Sequence, residues 1–353
     1  MRKLVIEGSL RSAGAQIGEA TAVDLPFVRD GTIDFLLKNA TVGGIRQMRW
    51  IAARYVASAR DFFPEAIDYM EGLAFGGGLT FEDVALIVFS EEIRTEFHVA
   101  PEKCSTLAVP TRDGWLIGHN EDYEPQYFGK MFALDLSIPG YPRTLSLNYP
   151  GQLPCMGGSL GRVAIVGTSL WPDAVPGLSK NLLHFRAAVA NDRDEALDFL
   201  TRQPAALTGH YTVGFGGDDS VCGLETSNPA TADSYLCVHD PGREPYWHTN
   251  HVRFLKLRAP DPAVTDQNHS LPRGEKLRQI IADGTLPSTP DALLDLLSTN
   301  DGVLHRTPEQ NATSVTLATV VIRPRTGEMW IRDADPSAHR RDLKLSFAER
   351  PLT

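Results

Sequence analysis

The spacing of apolar residues changes about a third of the way along the chain, and this change constrains the fold more than any other feature. In residues 42–96, apolar residues recur every three or four positions, as in "GGIRQMRWIAARYVASARDFF", which predicts helices. Pro64 suits the first turn of one helix, and Thr80 with Asp83 is typical of the cap of the next. The chain before Pro101 is therefore predicted to be mostly helical.

Beyond Lys103 the pattern becomes one of strands separated by turns. Examples are "KMFALDLSI", "TLSLNY", "HYTVGFGGDDSVCGLETS" and the late hairpin "TLATVVIRPRTGEMWIRDA". Helical blocks interrupt them at "SKNLLHFRAAVA", "DRDEALDFLTRQ" and "TPDALLDLLSTN", while "RAPDPAVTDQNHSLPR" predicts a surface loop. Many antiparallel strands with helices grouped in blocks indicate an α+β layered fold.

Composition limits the partners and the compartment. With 353 residues, 42% of them hydrophobic and 22% charged, the chain can bury a large core, as soluble globular proteins do. A net charge of -10 argues against nucleic acid or an anionic membrane as the partner. We expect neither a signal peptide nor a transmembrane segment, because the apolar runs are too short. Four cysteines without a C-x-x-C pair predict neither a disulfide framework nor a zinc site, so a reducing cytoplasm is expected.

The strand hairpin "KCSTLAVPTRDGWLIGHNEDY" contains a candidate nucleophile. A two-residue turn at Asp113 and Gly114 would place Cys104 opposite Tyr123 and beside Asp122. A cysteine beside a carboxylate at a strand end suits nucleophilic catalysis. A free cysteine is also commonly a small buried core residue, so the hairpin leaves both interpretations open.

Several motifs, taken in order, resemble one enzyme family. They are "IEGSLRSAGAQIGEA", "YMEGLAFGGGLTFEDVALI", "IRTEF", "KCSTLAVP", "GHNEDY", "LETS" and "WHTNHV". In this order and spacing the chain resembles the acyl-coenzyme A:6-aminopenicillanic acid acyltransferase family, the peptidase-C45-like branch of the N-terminal nucleophile (Ntn) hydrolases. The resemblance implies a four-layer αββα sandwich with a mainly helical N-terminal segment, in one structural domain.

The same resemblance implies self-cleavage and assigns roles to residues. Cys104 would attack the peptide bond that follows Lys103, so that segments 1–103 and 104–353 stay associated as two subunits. The freed α-amino group, with an ordinary pKa of roughly 7.7–8.0, would serve as the base for the thiol. Asp122 would hold this ammonium group, and Asn250 would donate to the oxyanion.

The resemblance also implies a substrate class and a pocket. The substrate would be a small molecule with a non-peptide amide or thioester, and hydrolysis is favoured over acyl transfer because no coenzyme A site is recognisable. We expect no metal and no organic cofactor. Pocket candidates around the three catalytic residues are Asn120, Glu121, Tyr123 and His251.

Two positions depart from the family pattern. Lys103 stands where the family usually has glycine, which permits the strained backbone that self-cleavage uses. Gly158 replaces an amide that helps to line the pocket in relatives, and "ATSVTLA" lacks an arginine that some relatives have. These departures bear on processing and on the choice of substrate.

Two alternative functions remain at this stage. "GGSLG" fits the G-x-S-x-G nucleophile elbow of α/β-hydrolases, with Ser159 as the nucleophile. That elbow needs a strand before the serine and a helix after it, whereas "RVAIVGTSL" predicts a strand. The chain could also be a non-catalytic binding descendant of the Ntn fold, although retention of Cys104, Asp122 and Asn250 together argues against this.

Overall fold

The computed structural model describes most of the chain. The described residues are 1–99, 104–159, 161–170, 175, 177–202, 205–228, 232–234, 236–261, 270–299, 301–309, 314–338 and 342–346.

The first hundred residues are mainly helical, as predicted. Strand β1 (Arg2–Glu7) is followed by six helices: α1 (Leu10–Thr21), α2 (Leu25–Asn39), α3 (Ile45–Phe62), α4 (Pro64–Gly77), α5 (Phe81–Val88) and α6 (Ser90–Glu96). The predicted cap is confirmed, because the Thr80 side chain accepts a hydrogen bond from the backbone N–H of Asp83. Gly78 caps the C-terminus of α4 with a left-handed backbone (φ 66°), which favours glycine.

The described part of the chain from Cys104 onward contains more strand than helix. In order, the strands are β2 (Ser105–Thr111), β3 (Gly114–Tyr123), β4 (Phe132–Ser137), β5 (Thr144–Asn148), β6 (Gly157–Gly158), β7 (Val163–Ser169), β8 (Gly209–Phe215), β9 (Ser220–Thr226), β10 (Leu236–His239), β11 (Tyr246–His248), β12 (Val315–Arg323), β13 (Glu328–Asp333) and β14 (Asp342–Ser346). Among them lie the helices α7 (Lys180–Ala188), α8 (Arg193–Arg202), α9 (Ser270–Ala282) and α10 (Pro290–Leu297).

The strands form two sheets. An eight-stranded sheet has the order β1-β4-β5-β6-β7-β8-β9-β10, and a six-stranded sheet has the order β11-β2-β3-β12-β13-β14. Strand β1 runs parallel to β4, and the other described pairs are antiparallel. The strand interpretation of the sequence is therefore confirmed.

Three apolar clusters join four layers. Leu134 of β4 and Ile165 of β7 pack with residues of the first eight helices. Ile117 of β3 packs with Val166 of β7 between the two sheets. Leu107 of β2 packs with leucines of α9 and α10 on the outer face of the six-stranded sheet. The αββα sandwich is thus observed directly, because strand alternation gives each buried sheet two apolar faces.

Glycines bring α1 and α4 into close contact. A Cβ added at Gly72 would lie 2.0 Å from the carbonyl oxygen of Arg11, and one at Gly14 would lie 2.1 Å from the carbonyl oxygen of Tyr69. Such distances exclude any side chain. The glycine spacing in the first two motifs therefore has a packing reason, since the helix backbones touch there.

Two details of the sequence prediction are wrong. Thr111 pairs with Gly114 and Ser105 pairs with Asn120, so the turn lies one residue earlier and the register differs by two. An offset of two residues preserves the face on which each side chain lies. The loop predicted over residues 258–273 is wrong at its end, because Ser270 begins α9; residues 262–269 lie outside the described part.

Within the described residues, no helix is both long and apolar enough to cross a bilayer.

Candidate active site

Cys104 lies directly before β2 and is buried. Its Sγ is 3.8 Å from Oε2 of Glu121 and 3.6 Å from the backbone carbonyl oxygen of Asp122. Because side chains alternate along a strand, Cys104 and Glu121 face the neighbouring sheet, whereas Asp122 points to the opposite face. Glu121 is therefore the acidic neighbour of the thiol, through its side chain.

Glu121 is held by a buried hydrogen-bond network. Its Oε2 lies 2.8 Å from Nε2 of His119, and the Nδ1 atom of that ring lies 2.8 Å from Oγ1 of Thr106. The hydroxyl group of Tyr149 donates to the other carboxylate oxygen of Glu121. Burial and the adjacent Glu121 raise the pKa of Tyr149 well above its ordinary value, so the phenol remains a donor.

A cavity opens beside the thiol between the two sheets. Its lining includes Cys104, Glu121, Tyr123, Tyr149, Gln152, Leu153, Cys155, Met156, Glu91, Lys180 and His184. Nζ of Lys180 is 2.9 Å from a carboxylate oxygen of Glu91, so the cavity wall carries a buried ion pair. Burial and the neighbouring Glu91 raise the pKa of Glu92, next to this pair, to about 7. Polar and aromatic side chains thus share the wall.

Asp122 is fully buried on the other face of β3. Neither carboxylate oxygen accepts a hydrogen bond within ordinary distance from a described group. Burial raises its pKa, and the positive charge of Arg273 opposes this rise. Thr316 and Arg306 also favour its ionised form, so Asp122 has polar neighbours but no hydrogen bond of ordinary geometry within the described part of the chain.

Asn250 is connected to Cys104 through Arg273. Its Nδ2 donates to the carbonyl oxygen of Ser169 at 2.7 Å, and its second N–H donates to no described residue. Nη2 of Arg273 donates to Oδ1 of Asn250 at 2.8 Å, while Nη1 donates to the backbone carbonyl of Cys104 and to Oγ of Ser105 at 2.9 Å. One guanidinium group therefore positions the candidate oxyanion donor and the candidate nucleophile together.

Arg273 was missed by the sequence prediction, which assigned it to a surface loop. It is fully buried in α9, and this burial lowers its pKa to about 10 while Asp122 opposes the change. A signal was present, because Pro272 followed by leucine and isoleucine at helical spacing is typical of a first turn.

The turn that carries Asn250 is held by Glu225. Its carboxylate accepts the backbone N–H groups of Arg253, Phe254 and Leu255, and it lies 2.8 Å from Nε2 of His248. Burial alone would raise the pKa of Glu225, but these hydrogen bonds lower it. Glu225 and His248 are therefore structural supports of the site.

The remaining predicted site residues lie in different places. Tyr123 and Glu121 line the cavity, but Asn120 does not, because alternation turns it toward α10. There its Nδ2 donates to the carbonyl oxygens of Leu297 and Leu304, and its Oδ1 accepts from Thr319.

His251 does not line this cavity either. Its Nδ1 lies 2.9 Å from Oγ of Ser270 at the start of α9, and burial lowers its pKa to about 4. Lys103, on the other side of the predicted cleavage bond, lies outside the described residues.

Ser159 does not form a nucleophile elbow. Ser159 is buried, and its hydroxyl group donates to the carbonyl oxygen of Ala190 at 2.6 Å. Strand β7 follows it, where the elbow requires a helix. The serine-hydrolase alternative is therefore not supported.

Cys104, His119 and Glu121 could also hold a metal ion, since their ligand atoms lie within 4.8 Å of one another. The same carboxylate atoms already participate in hydrogen bonds with His119 and Tyr149. The hydrogen-bonded network accounts for the arrangement of these three side chains without an ion.

Comparison with known proteins identifies the family. The profile of the acyl-coenzyme A:6-aminopenicillanic acid acyl-transferase family matches residues 109–338, which is well over half of the chain. The chain belongs to this family. The family is one of enzymes that transfer acyl groups.

Solved structures show weaker similarity. The Caenorhabditis elegans N-acylethanolamine-hydrolyzing acid amidase ortholog is 14% identical, with a TM-score of 0.43 over 69% of this chain and 100% of its own. A variant of the conjugated bile acid hydrolase from Clostridium perfringens is 11% identical, with a TM-score of 0.45 over 70% of this chain and 94% of its own. The search of curated proteins found no match.

Proposed function

We propose that this family member is a self-processing amidohydrolase with Cys104 as its N-terminal nucleophile. The observation that carries the proposal is the position of the buried thiol directly before β2, beside a cavity, with Arg273 linking its carbonyl group to Asn250. The nucleophile beside the cavity and the candidate oxyanion donor are then linked by one guanidinium group.

The proposed chemistry has two stages. The thiol of Cys104 first attacks the carbonyl carbon of residue 103, the carbon–nitrogen bond breaks, and water hydrolyses the resulting thioester. Segments 1–103 and 104–353 remain associated, and Cys104 acquires a free α-amino group that serves as general base. Asp122, whose oxygens accept no hydrogen bond of ordinary geometry from a described group, then pairs with the new ammonium group.

In the second stage the thiolate attacks the carbonyl carbon of a small non-peptide amide. The amine leaves with a proton from the α-amino group, and the acyl group stays on Sγ as a thioester. The second N–H of Asn250 stabilises the oxyanion, and water releases the acid. Hydrolysis is favoured over transfer because water reaches the thioester without a dedicated acceptor site.

The first test compares denatured intact masses of three full-length proteins: wild type, Cys104→Ala and Cys155→Ala. Cys155 is a matched control, because it lines the same cavity but does not precede a strand at the cleavage bond. We expect wild type and Cys155→Ala to give two fragments that break between residues 103 and 104, and Cys104→Ala to remain whole. A whole wild-type chain would contradict self-processing.

The second test measures the reaction. The processed protein is incubated with a panel of N-acyl amides, with and without an added amine acceptor. Release of free acid and amine that is abolished by Cys104→Ala supports hydrolysis. If the acyl group is recovered only as an amide of the added amine, the result supports acyl transfer. Equal turnover by wild type and Cys104→Ala would exclude Cys104 as the nucleophile.

A further inference from the structure

The uncleaved chain needs a base that the mature enzyme does not need. Before cleavage, the nitrogen atom of Cys104 belongs to a peptide bond and cannot accept a proton, since its lone pair is delocalised into the carbonyl group. The thiol must nevertheless lose its proton before it attacks. Another group near Sγ therefore has to accept that proton in the first stage.

Glu121 is the described carboxylate that the thiol contacts. Sγ of Cys104 donates toward Oε2 of Glu121 at 3.8 Å, and both side chains are buried at the cavity. His119 lies at 2.8 Å from Oε2 of Glu121, and its ring nitrogen is within 4.8 Å of Sγ, so it stands behind the carboxylate that the thiol contacts. Asp122 offers Sγ only its backbone carbonyl oxygen, which cannot accept a proton for catalysis.

Resting on the proposed function, we propose that Glu121 is the general base for self-cleavage, with His119 and Tyr149 as positioning residues. The proton passes from Sγ to Oε2, and the thiolate forms a bond to the carbonyl carbon of residue 103. The bond from that carbon to the nitrogen of Cys104 breaks, and the nitrogen takes the proton back from Glu121. The product is a thioester and a free amine, so atoms and charge balance.

The network favours this role on electrostatic grounds. If Thr106 donates to Nδ1 of His119, then the Nε2–H group of His119 donates to Glu121, and Tyr149 donates to the other oxygen. Both donors then point at the Glu121 carboxylate, which is the arrangement that stabilises its negative charge. Proton transfer from thiol to carboxylate moves one negative charge over a few ångströms and creates no additional buried charge.

The test follows self-cleavage of the full chain in time. A labelled pulse of cell-free translation yields uncleaved wild type, and aliquots are moved to buffers from about pH 5 to pH 9. Conversion to fragments is measured by gel and by intact mass. We expect Glu121→Gln to slow conversion by about 10²-fold or more, the range for loss of a general base.

Two further variants separate catalysis from structure. Glu124→Gln is the matched control, because Glu124 is also buried, directly after the same strand, but pairs with Arg94. We expect the folded fraction of this variant to convert within about twofold of the wild-type rate. Tyr149→Phe removes one donor that stabilises the ionised carboxylate, so we expect the acid limb of the rate profile to move to higher pH.

Each outcome decides between the alternatives. Conversion of Glu121→Gln at the wild-type rate would overturn the inference. So would a Tyr149→Phe variant whose conversion rate falls at the same acidic pH as that of wild type. If Glu121→Gln does not fold, the pH–rate profile of Tyr149→Phe is the deciding measurement. If the wild-type chain is never cleaved, the proposed function and this inference are both overturned. If wild type and Glu121→Gln are cleaved at the same rate, only the inference about Glu121 is overturned.

Discussion

Two adjacent carboxylates on β3 have opposite surroundings. Glu121 faces the neighbouring sheet, contacts the thiol and interacts with His119 and Tyr149. Asp122 faces the helical layer, and neither of its oxygens accepts a hydrogen bond from a described group. The Glu121 carboxylate therefore has its hydrogen-bond donors already in the uncleaved chain, whereas we propose that Asp122 gains an ammonium partner when the chain is cleaved.

The largest expected effect is on turnover after self-cleavage, the stage at which we propose that Asp122 acts. Asp122→Asn should still allow self-cleavage, but turnover of the processed enzyme should fall by on the order of 10²-fold, because the new ammonium group loses its counter-charge. Intact mass measures the first property and release of amine from an N-acyl amide the second. Asp113→Asn, in the exposed turn, is the control. Wild-type turnover in Asp122→Asn would contradict a role of Asp122 in the processed enzyme.

Asn250→Ala tests whether the amide near Arg273 acts in the reaction. Loss of an oxyanion donor should lower turnover by about 10²–10³-fold while substrate binding changes little. The kcat and KM values of the processed protein report the two effects separately. A variant that loses binding and keeps its kcat would identify Asn250 as a pocket residue instead.

Asn120→Ala should affect stability rather than turnover per folded molecule. Its removal leaves the carbonyl oxygens of Leu297 and Leu304 without their donor and Thr319 without its acceptor. With buried unsatisfied groups costing about 1–3 kcal/mol each, we expect a loss of about 3 kcal/mol. Urea unfolding in the uncleavable Cys104→Ala background measures it, and a change below about 0.5 kcal/mol would contradict the prediction.

The smallest effect concerns the pH dependence of stability. Because burial raises the pKa of Asp122, the folded chain holds its proton at pH values where the unfolded chain, with a pKa of about 3.9, has lost it. Asp122 therefore lowers stability as the pH rises from about 4 toward the folded pKa. In the Cys104→Ala background, Asp122→Asn should remove that decline. The measurement is the free energy of unfolding as a function of pH, and equal slopes for the two proteins would contradict the prediction.

The sequence predicted the elements better than their contacts. The helices from α3 to α6 and the hairpin of β12 and β13 follow from apolar spacing and turn residues alone. The β2–β3 turn was placed one residue late, because Asp113 and Gly114 are both good turn residues and local propensity cannot choose between neighbouring registers.

The site was only partly accessible from the sequence. Cys104, Asp122 and Asn250 were proposed from motif order, and their catalytic roles remain predictions. Asn120 and His251 were expected near the pocket because they are close to motif residues in sequence, yet strand alternation and the start of α9 direct them elsewhere. Arg273 was overlooked because nothing local relates it to a cysteine 169 positions earlier.

Apolar periodicity and ordered motifs are enough to predict the helical first third, the strand-rich remainder and the family. The contact of Glu121 with the thiol, the opposite orientation of Asp122 and the link from Cys104 through Arg273 to Asn250 become visible in the folded chain alone. They depend on pairing register and on the packing of α9 against β2, and both involve contacts distant in sequence that local patterns do not specify.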